Sequence, residues 1–417
     1  MPLAAQRHGR GTMVTMKRPL ADLKVALVCD WLTEVGGAEK VLSAVHDMFP
    51  QAPIFTSQYR SKSAPTEFVG VDIRTGWLNI KPRALRKFIS PLRYSYFQHL
   101  DLSGYDLVIS INNAEAKNVK TYNPKNGARA FHISYLQGPP TQYYWGLYDQ
   151  YLKNPGFGKL NFLARWGLKT LVRPLRKIDY KAAQKPDFLL ANSSYVKKEI
   201  HEYYQRDARV LWPSVDVKKI GNLVKKVSNE DTKNLQQELF DGQEFFIISG
   251  RQNNWKRVDL AVQACMDSNE NLLVAGYGAD HDKLVAMAKG HDNIKFLPRY
   301  DGVGEIVKYF AAAKAFIFPS LEPFGISPVE ALAAGTPLIA LKKGGALDMV
   351  QGGRNGVFFS QQTTDDLKSA IQKINKMKFD RRLVQKSTEK FSEENFKKNL
   401  LKTIEDSYEK AKQGSHE

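Results

Sequence analysis

Residues Ala315–Ala340 read AFIFPSLEPFGISPVEALAAGTPLIA. The run Ala315 to Phe318 is β-rich and ends in a Pro- and Gly-bearing loop. A helical pattern, Pro328 to Ala334, follows, and Gly335-Thr336-Pro337 breaks it before a second β-rich run, Pro337 to Leu341. A short strand, a loop, a helix and another short strand form the crossover unit of a parallel sheet. The same alternation extends in both directions. Upstream lie β-rich runs at Glu244–Ser249, Asn271–Ala275 and Ile294–Leu297, and downstream one at Val357–Phe359. A polar, lysine-rich connection, residues 217–243, separates these from an earlier series at Lys24–Asp30, Asp106–Ile111, Asp187–Ala191 and Arg209–Trp212. The expected fold is α/β: two Rossmann-like domains, residues 24–216 and 244–391, whose parallel sheets face a central cleft. Residues 1–23 read as a disordered leader without a signal-peptide core, 217–243 as a linker, and 392–417 as a terminal helix and tail.

Size and composition agree with that plan. A chain of 417 residues exceeds what one core usually supports, and 43% hydrophobic with 25% charged residues is ordinary globular composition. No apolar run approaches the roughly 20 residues of a spanning helix, so no transmembrane segment is expected. The two cysteines, Cys29 and Cys265, fit buried reduced thiols, and the eight histidines show no metal-ligand spacing. No metal and no fixed cofactor are expected.

The net charge of +18 calls for a polyanionic partner. Two stretches interleave cations with apolar side chains at helical spacing. One sets Arg83, Arg86, Lys87 and Arg93 among Leu85, Phe88, Ile89, Leu92, Tyr94 and Phe97. The other, Lys159 to Lys177, sets Lys169, Arg173, Arg176 and Lys177 among Leu160, Phe162, Leu163, Trp166, Leu168 and Leu171. Both suit either an anionic membrane surface or helices packed on the core. No nucleic-acid reading motif accompanies the charge.

In such sheets ligands bind beyond the carboxyl ends of the strands, so the strand-to-helix loops hold the candidate residues. In the first, Gly36 and Gly37 precede a helix with apolar Val41, Leu42, Val45 and Phe49, where the backbone and a helix N-terminus can meet a phosphate. The second carries Arg251 and Lys256, two cations able to converge on a diphosphate. In the third, Ser327, Pro328 and Glu330 have the spacing of a capping box, which leaves Glu322 free for sugar hydroxyls and the N–H groups of Phe324, Gly325 and Ile326 for a substrate or phosphate. The fourth, Gly344-Gly345-Ala346, repeats the glycine-then-helix arrangement. A nicotinamide enzyme would carry Gly-x-Gly-x-x-Gly after the first strand; here there is only Gly36-Gly37, and Gly276-Tyr277-Gly278 reads as a turn.

Together these loops resemble retaining GT-B glycosyltransferases of family 4, especially the mannosyltransferase-like branch of bacterial polysaccharide and glycolipid synthesis. Glu322 and Glu330 within EPFGISPVEALAAGTPLIA are the most specific element. The resemblance implies that Glu322 lies beside the transferred sugar, that Glu330 binds the donor ribose, that Arg251 and Lys256 clamp the diphosphate, and that Gly37 contacts the phosphate from the first domain. It implies a nucleotide diphosphate sugar as donor, with GDP-mannose favoured and no metal, while the basic aromatic stretches and the Pro-, Tyr- and Trp-rich segment Gly138 to Tyr148 suggest a saccharide or lipid-linked acceptor on a cytosol-facing enzyme peripheral on the inner face of the plasma membrane. Where that family shows an active-site His, this chain has Gln137 in Tyr135-Leu136-Gln137-Gly138-Pro139-Pro140; Gln donates a hydrogen bond but carries no proton at neutral pH. His132, five positions earlier along a strand, falls on the opposite face. The alternatives are a non-catalytic relic of such an enzyme and a sugar-nucleotide epimerase or phosphorylase of the same architecture.

Overall fold

The computed structural model describes residues 22–33, 36–61, 66–80, 89–141, 144–146, 148–153, 161–297, 299–300 and 302–413. Residues 1–21 of the leader fall outside these, as do residues 83–88 of the first basic stretch and Lys159 and Leu160 of the second.

Among the described residues two all-parallel sheets form. The first has strands β1 (Val25–Cys29), β2 (Ile54–Thr56), β3 (Ile73–Arg74), β4 (Leu107–Asn112), β5 (Phe131–Leu136), β6 (Phe188–Ala191) and β7 (Arg209–Val210), in the order β3-β2-β1-β4-β5-β6-β7. The second has β8 (Phe246–Ser249), β9 (Leu272–Ala275), β10 (Ile294–Leu297), β11 (Ala315–Phe318), β12 (Leu338–Leu341) and β13 (Gly356–Phe359), ordered β10-β9-β8-β11-β12-β13. The order reverses between β1 and β4, where Leu27 faces Ile109, and between β8 and β11, where Ile247 faces Phe316. Such reversals open a crevice at the strands' carboxyl ends, because the flanking crossovers leave toward opposite faces.

The central strands are buried on both faces, so they do not alternate apolar with exposed residues, and the polar side chains within them, Ser110, Asn112, His132 and Ser134, are buried too. The helix Gly37–His46 presents Val41, Leu42 and Val45 to Leu27 and Ile109, as its helical spacing predicts. Cys29 and Cys265 are both buried thiols.

Residues 217–243 are not an extended connection. They fold as two helices, Val217–Val224 and Asn229–Phe240, whose Ile220, Leu235 and Phe240 enter the second domain's core with Phe310. A few well-spaced apolar side chains suffice to bury one stripe of an otherwise polar helix. Ser228 and Asp231 close a capping box there, a spacing visible in the sequence.

The chain crosses between domains twice at one place, where the Val215 N–H donates to the Phe391 carbonyl at 2.9 Å. The terminal helix Glu393–Gln413 then returns to the first domain, where Phe396, Leu400, Leu401 and Ile404 join its core. The first basic stretch is not a surface element in its described part. Arg93, Tyr94 and Phe97 are buried, and Arg93 pairs with buried Glu115 at 2.9 Å.

Candidate active site

The carboxyl ends of the two sheets face each other across a cavity of about 300 Å³. Its walls come from the loops after β5, β6, β8 and β11 and from the start of the helix Gly37–His46. They include Gly37, Ala38, Asn113, Gln137 and Asn192 from the first domain and Arg251, Lys256, Glu322, Phe324, Gly325, Ile326 and Ser327 from the second. A smaller cavity of about 280 Å³ adjoins it on the first-domain side, bounded by Trp31, Gly36, Gly37, Glu39, Asn113 and Arg251. Arg251 borders both.

Two helix N-termini converge on this space, Gly37–His46 from one domain and Ile326–Ala333 from the other. Each offers N–H groups without an intrahelical partner and the positive end of a helix dipole, so together with Arg251 and Lys256 they favour an anion. The two ends are close: a Cβ on Gly37 would stand 3.3 Å from Ile326 Cγ1.

The paired glutamates are held differently. Glu322 accepts from Lys256 Nζ at 2.6 Å on one oxygen and from Ser320 Oγ at 2.6 Å on the other, which fixes its carboxylate at the cavity wall. Glu330 pairs across the cleft with Lys40 Nζ at 3.2 Å. The expected capping box is absent. The helix begins at Ile326, with Gly325 in the N-cap position at φ 113° and no side-chain cap, so Ser327 lies in the second helical position and Glu330 is turned toward the first domain. Only glycine takes that φ without strain, and a Cβ there would press on the Phe318 ring. The early glycine turn thus outcompetes the Ser cap that the spacing alone favours.

The fourth loop braces the third. Gly345 N donates to the Glu322 carbonyl at 2.9 Å, and a Cβ on Gly345 would collide with the Phe324 backbone. The helix that follows, Ala346–Met349, is a single turn. Its Asp348 reaches the other domain, accepting from Ser194 N at 2.7 Å and Trp212 Nε1 at 3.2 Å. Gly276 and Gly278 pack on the backbone of Gly250 and Gln252, bracing the Arg251 loop from behind.

On the first-domain side Gln137 faces the cavity, its Nε2 3.4 Å from the Ala38 carbonyl, while Asn192 Nδ2 donates to the Gln137 carbonyl at 2.5 Å. His132 points away, with Nε2 2.8 Å from buried Ser110 Oγ; burial lowers its pKa to about 3, so it is a neutral core residue. Asp30 is spent on structure. Its carboxylate accepts the backbone N–H groups of Asn113, Ala114, Glu115 and Ala116 at 2.7, 3.0, 2.8 and 2.7 Å, fixing the loop that presents Asn113. Burial, with Glu115 nearby, raises its pKa, and those N–H groups pull against the rise.

The expected site residues other than Glu330 therefore line one of these two adjoining cavities, and Ser320, Asn113 and Asn192 join them, while Glu330 is paired with Lys40 between the domains. Asn113 and Asn192 follow β4 and β6 directly, so the carboxyl-edge rule reaches them. Lys40 meets Glu330 only through domain packing, 290 residues away. Among the described residues no group of three His, Cys, Asp or Glu could hold a metal.

Residues 229–398 match the family model described as Glycosyl transferases group 1. Curated relatives include an uncharacterized glycosyltransferase of Methanocaldococcus jannaschii, 25% identical over 225 residues (51% of this chain, 55% of that protein). Another is the alpha-1,3/1,6-mannosyltransferase ALG2 of Dictyostelium discoideum, 25% identical over 255 residues (51% of this chain, 60% of that one). The chain thus spans little more than half the length of either. Among solved structures, Anabaena HepE in complex with UDP and glucose superposes with a TM-score of 0.64 at 18% identity, covering 92% of this chain and 99% of that one. The catalytic domain of starch synthase IV from Arabidopsis thaliana, bound to ADP and acarbose, gives 0.63 at 15% identity, covering 93% and 99%. At these identities the likeness establishes the fold, which is GT-B.

Proposed function

We propose, from the group 1 glycosyl transferase match of residues 229–398 and the GT-B fold, that this protein transfers a hexose, with mannose from GDP favoured, from a nucleotide diphosphate sugar to a saccharide or lipid-linked acceptor with retention of configuration. The observation that carries the reading is the convergence of Arg251, Lys256 and two helix N-termini on one cavity at the strands' carboxyl edge.

In this reading the bond between the anomeric carbon and the diphosphate oxygen breaks, and the acceptor oxygen bonds that carbon from the same face. The acceptor proton passes to the departing diphosphate. Arg251, Lys256 and the helix N-termini offset the charge that grows on the leaving group. Glu322, held by Lys256 and Ser320, orients the sugar hydroxyls, and Glu330 exchanges Lys40 for the donor ribose. Gln137 donates to the transferred sugar and moves no proton. Turnover needs no metal, so chelation with EDTA leaves the rate unchanged. The protein works at the cytosolic face of the plasma membrane; among the described residues no helix is long and apolar enough to cross one.

The test is thermal shift of the full chain against UDP, GDP and ADP and their sugar forms, beside Glu330→Ala. One nucleotide at about 100 times its Kd adds about 2.7 kcal/mol, and the variant loses most of that. No shift with any diphosphate at high concentration would refute the reading. Gln137 in place of a histidine favours one rival, a non-catalytic binder. That rival predicts the same nucleotide shift with no sugar transfer in a single-turnover assay.

A further inference from the structure

We infer that the exposed face of the helix Asn161–Ala183, from Phe162 to Lys177, is a docking surface for an anionic lipid bilayer. This helix buries side chains in the first domain through its later turns, at Val172, Leu175, Asp179, Ala182 and Ala183, while nearer its start Arg165 donates to the Leu152 and Lys153 carbonyls at 3.1 and 2.8 Å. None of residues 161–171 is buried. Phe162 and Trp166 stand 64% and 69% exposed, and Leu163 next to Phe162 is half in solvent. Large apolar side chains exposed together in this way mark an interaction surface rather than ordinary surface scatter.

The order of side chains along the helix identifies the partner. Phe162, Trp166, Lys169, Arg173 and Lys177 follow one another at steps of four, three, four and four residues, which places them on one stripe about 22 Å long. Both aromatics lie in the first two turns and the three exposed cations follow along the helix. None of these cations makes an ion pair among the described residues, so their charge is available. Aromatic rings that settle at the headgroup boundary, backed by cations that meet lipid phosphates, match an anionic bilayer. A second copy of the chain fits poorly, because its own cationic stripe and the +18 net charge oppose the approach. The inference deepens the lipid-linked acceptor in the proposed function: a bilayer held at this helix brings an acceptor to the first-domain side of the cleft.

The test is co-sedimentation of the full chain with vesicles of phosphatidylcholine alone or with about one third phosphatidylglycerol, at low and high salt. The wild type should bind the anionic vesicles only, and release with salt. Reversing all three cations (Lys169→Glu, Arg173→Glu, Lys177→Glu) should weaken partitioning at least about 100-fold, from about five-fold per cation removed. Phe162→Ser with Trp166→Ser should weaken it too and leave the remainder fully salt-labile. Equal partitioning to neutral and anionic vesicles, no partitioning, or variants that bind like the wild type would overturn the inference. So would a dimer in sedimentation velocity that Trp166→Ser dissolves. Nucleotide thermal shift on the same samples separates the two readings: vesicle binding without a nucleotide shift removes the transferase and keeps the docking surface, and the reverse removes the docking surface alone.

Discussion

Replacing Asp179 by Asn tests whether the first domain is held by a buried charge. Asp179 is fully buried and receives Lys117 Nζ at 2.7 Å; Lys117 itself is 1% exposed. Its two oxygens also accept Tyr94 OH at 2.5 Å, Trp145 Nε1 at 2.7 Å, Tyr204 OH at 2.8 Å and Thr141 Oγ1 at 3.2 Å. Five donors from four separate segments thus meet one carboxylate. Asn keeps the shape, but it presents an NH₂ group where donors already point and leaves the Lys117 ammonium without a counter-charge. Breaking one side of a buried pair costs about 3–5 kcal/mol. For a cooperative unit of 150–250 residues that lowers Tm by about 6–20 °C. Lys120→Ala is the control: its pair with Asp101 at 2.8 Å is over a third exposed on both sides, so its loss should stay below about 1 kcal/mol. Urea and thermal unfolding followed by tryptophan emission give both values. The nucleotide-induced shift checks that the second domain survives. If Asp179→Asn costs no more than Lys120→Ala, Lys117 has another source of solvation and the argument from buried charge fails. Replacing both partners, Lys117→Met with Asp179→Leu, should recover part of the loss, since no lone charge then remains.

Arg251→Ala should lower turnover by about 10²–10³ with little change in acceptor KM, as expected for a group that acts on charge developing in the transition state; a near-normal rate would remove Arg251 from the leaving-group clamp. Gly345→Ala forces a Cβ against the Phe324 backbone and should cost about 1–3 kcal/mol and blunt the nucleotide shift, because the neighbour that must yield is main chain of the Glu322 loop; unchanged nucleotide affinity would show that the loop tolerates displacement. His132 has a folded pKa of about 3 against 6.5 in the open chain, so between those values the unfolded state binds the extra proton and stability falls with falling pH, by about 1.4 kcal/mol per unit. Glu199, raised to about 7 by burial and Glu202, works the other way between 4.5 and 7. His132→Gln should therefore make stability rise as pH falls from 7 to 5, and an unaltered profile in urea titrations would refute the assignment.

Ala315–Leu341 was legible as strand, loop, helix and strand because each segment carries its own period and its own breakers, and the long apolar runs of doubly covered strands need no partner to be recognised. β2, β3 and β5 escaped that reading. At three and two residues β2 and β3 are too short to show a period, and β5, FHISYL, mixes buried His132 and Ser134 into its apolar run, so sheet pairing is what makes them strands. The Ser327 cap was misread for a related reason. The local spacing supports a box at Ser327, but the chain leaves Phe318 in a direction that only Gly325 at φ 113° can turn, so the helix starts earlier.

The catalytic chemistry proposed here is carried mostly by residues the sequence marks on its own. Arg251, Lys256, Glu322 and Glu330 sit in strand-to-helix loops, and loop position follows from local pattern. What the sequence could not give is which of these groups are already engaged. Lys40 meets Glu330 and Asp348 meets Ser194 only because the two sheets face each other. For Arg93 the sequence leaves a membrane surface and a core-packed helix both open, and the fold makes it the buried partner of Glu115. The terminal helix found its place on the first domain through Phe396, Leu400 and Ile404, which complete a core begun more than 300 residues earlier. Local periodicity fixes which residues share a face. Which face meets which is set by the free energy of burying both together, a sum over contacts distant in sequence, and that sum exists only in the folded molecule.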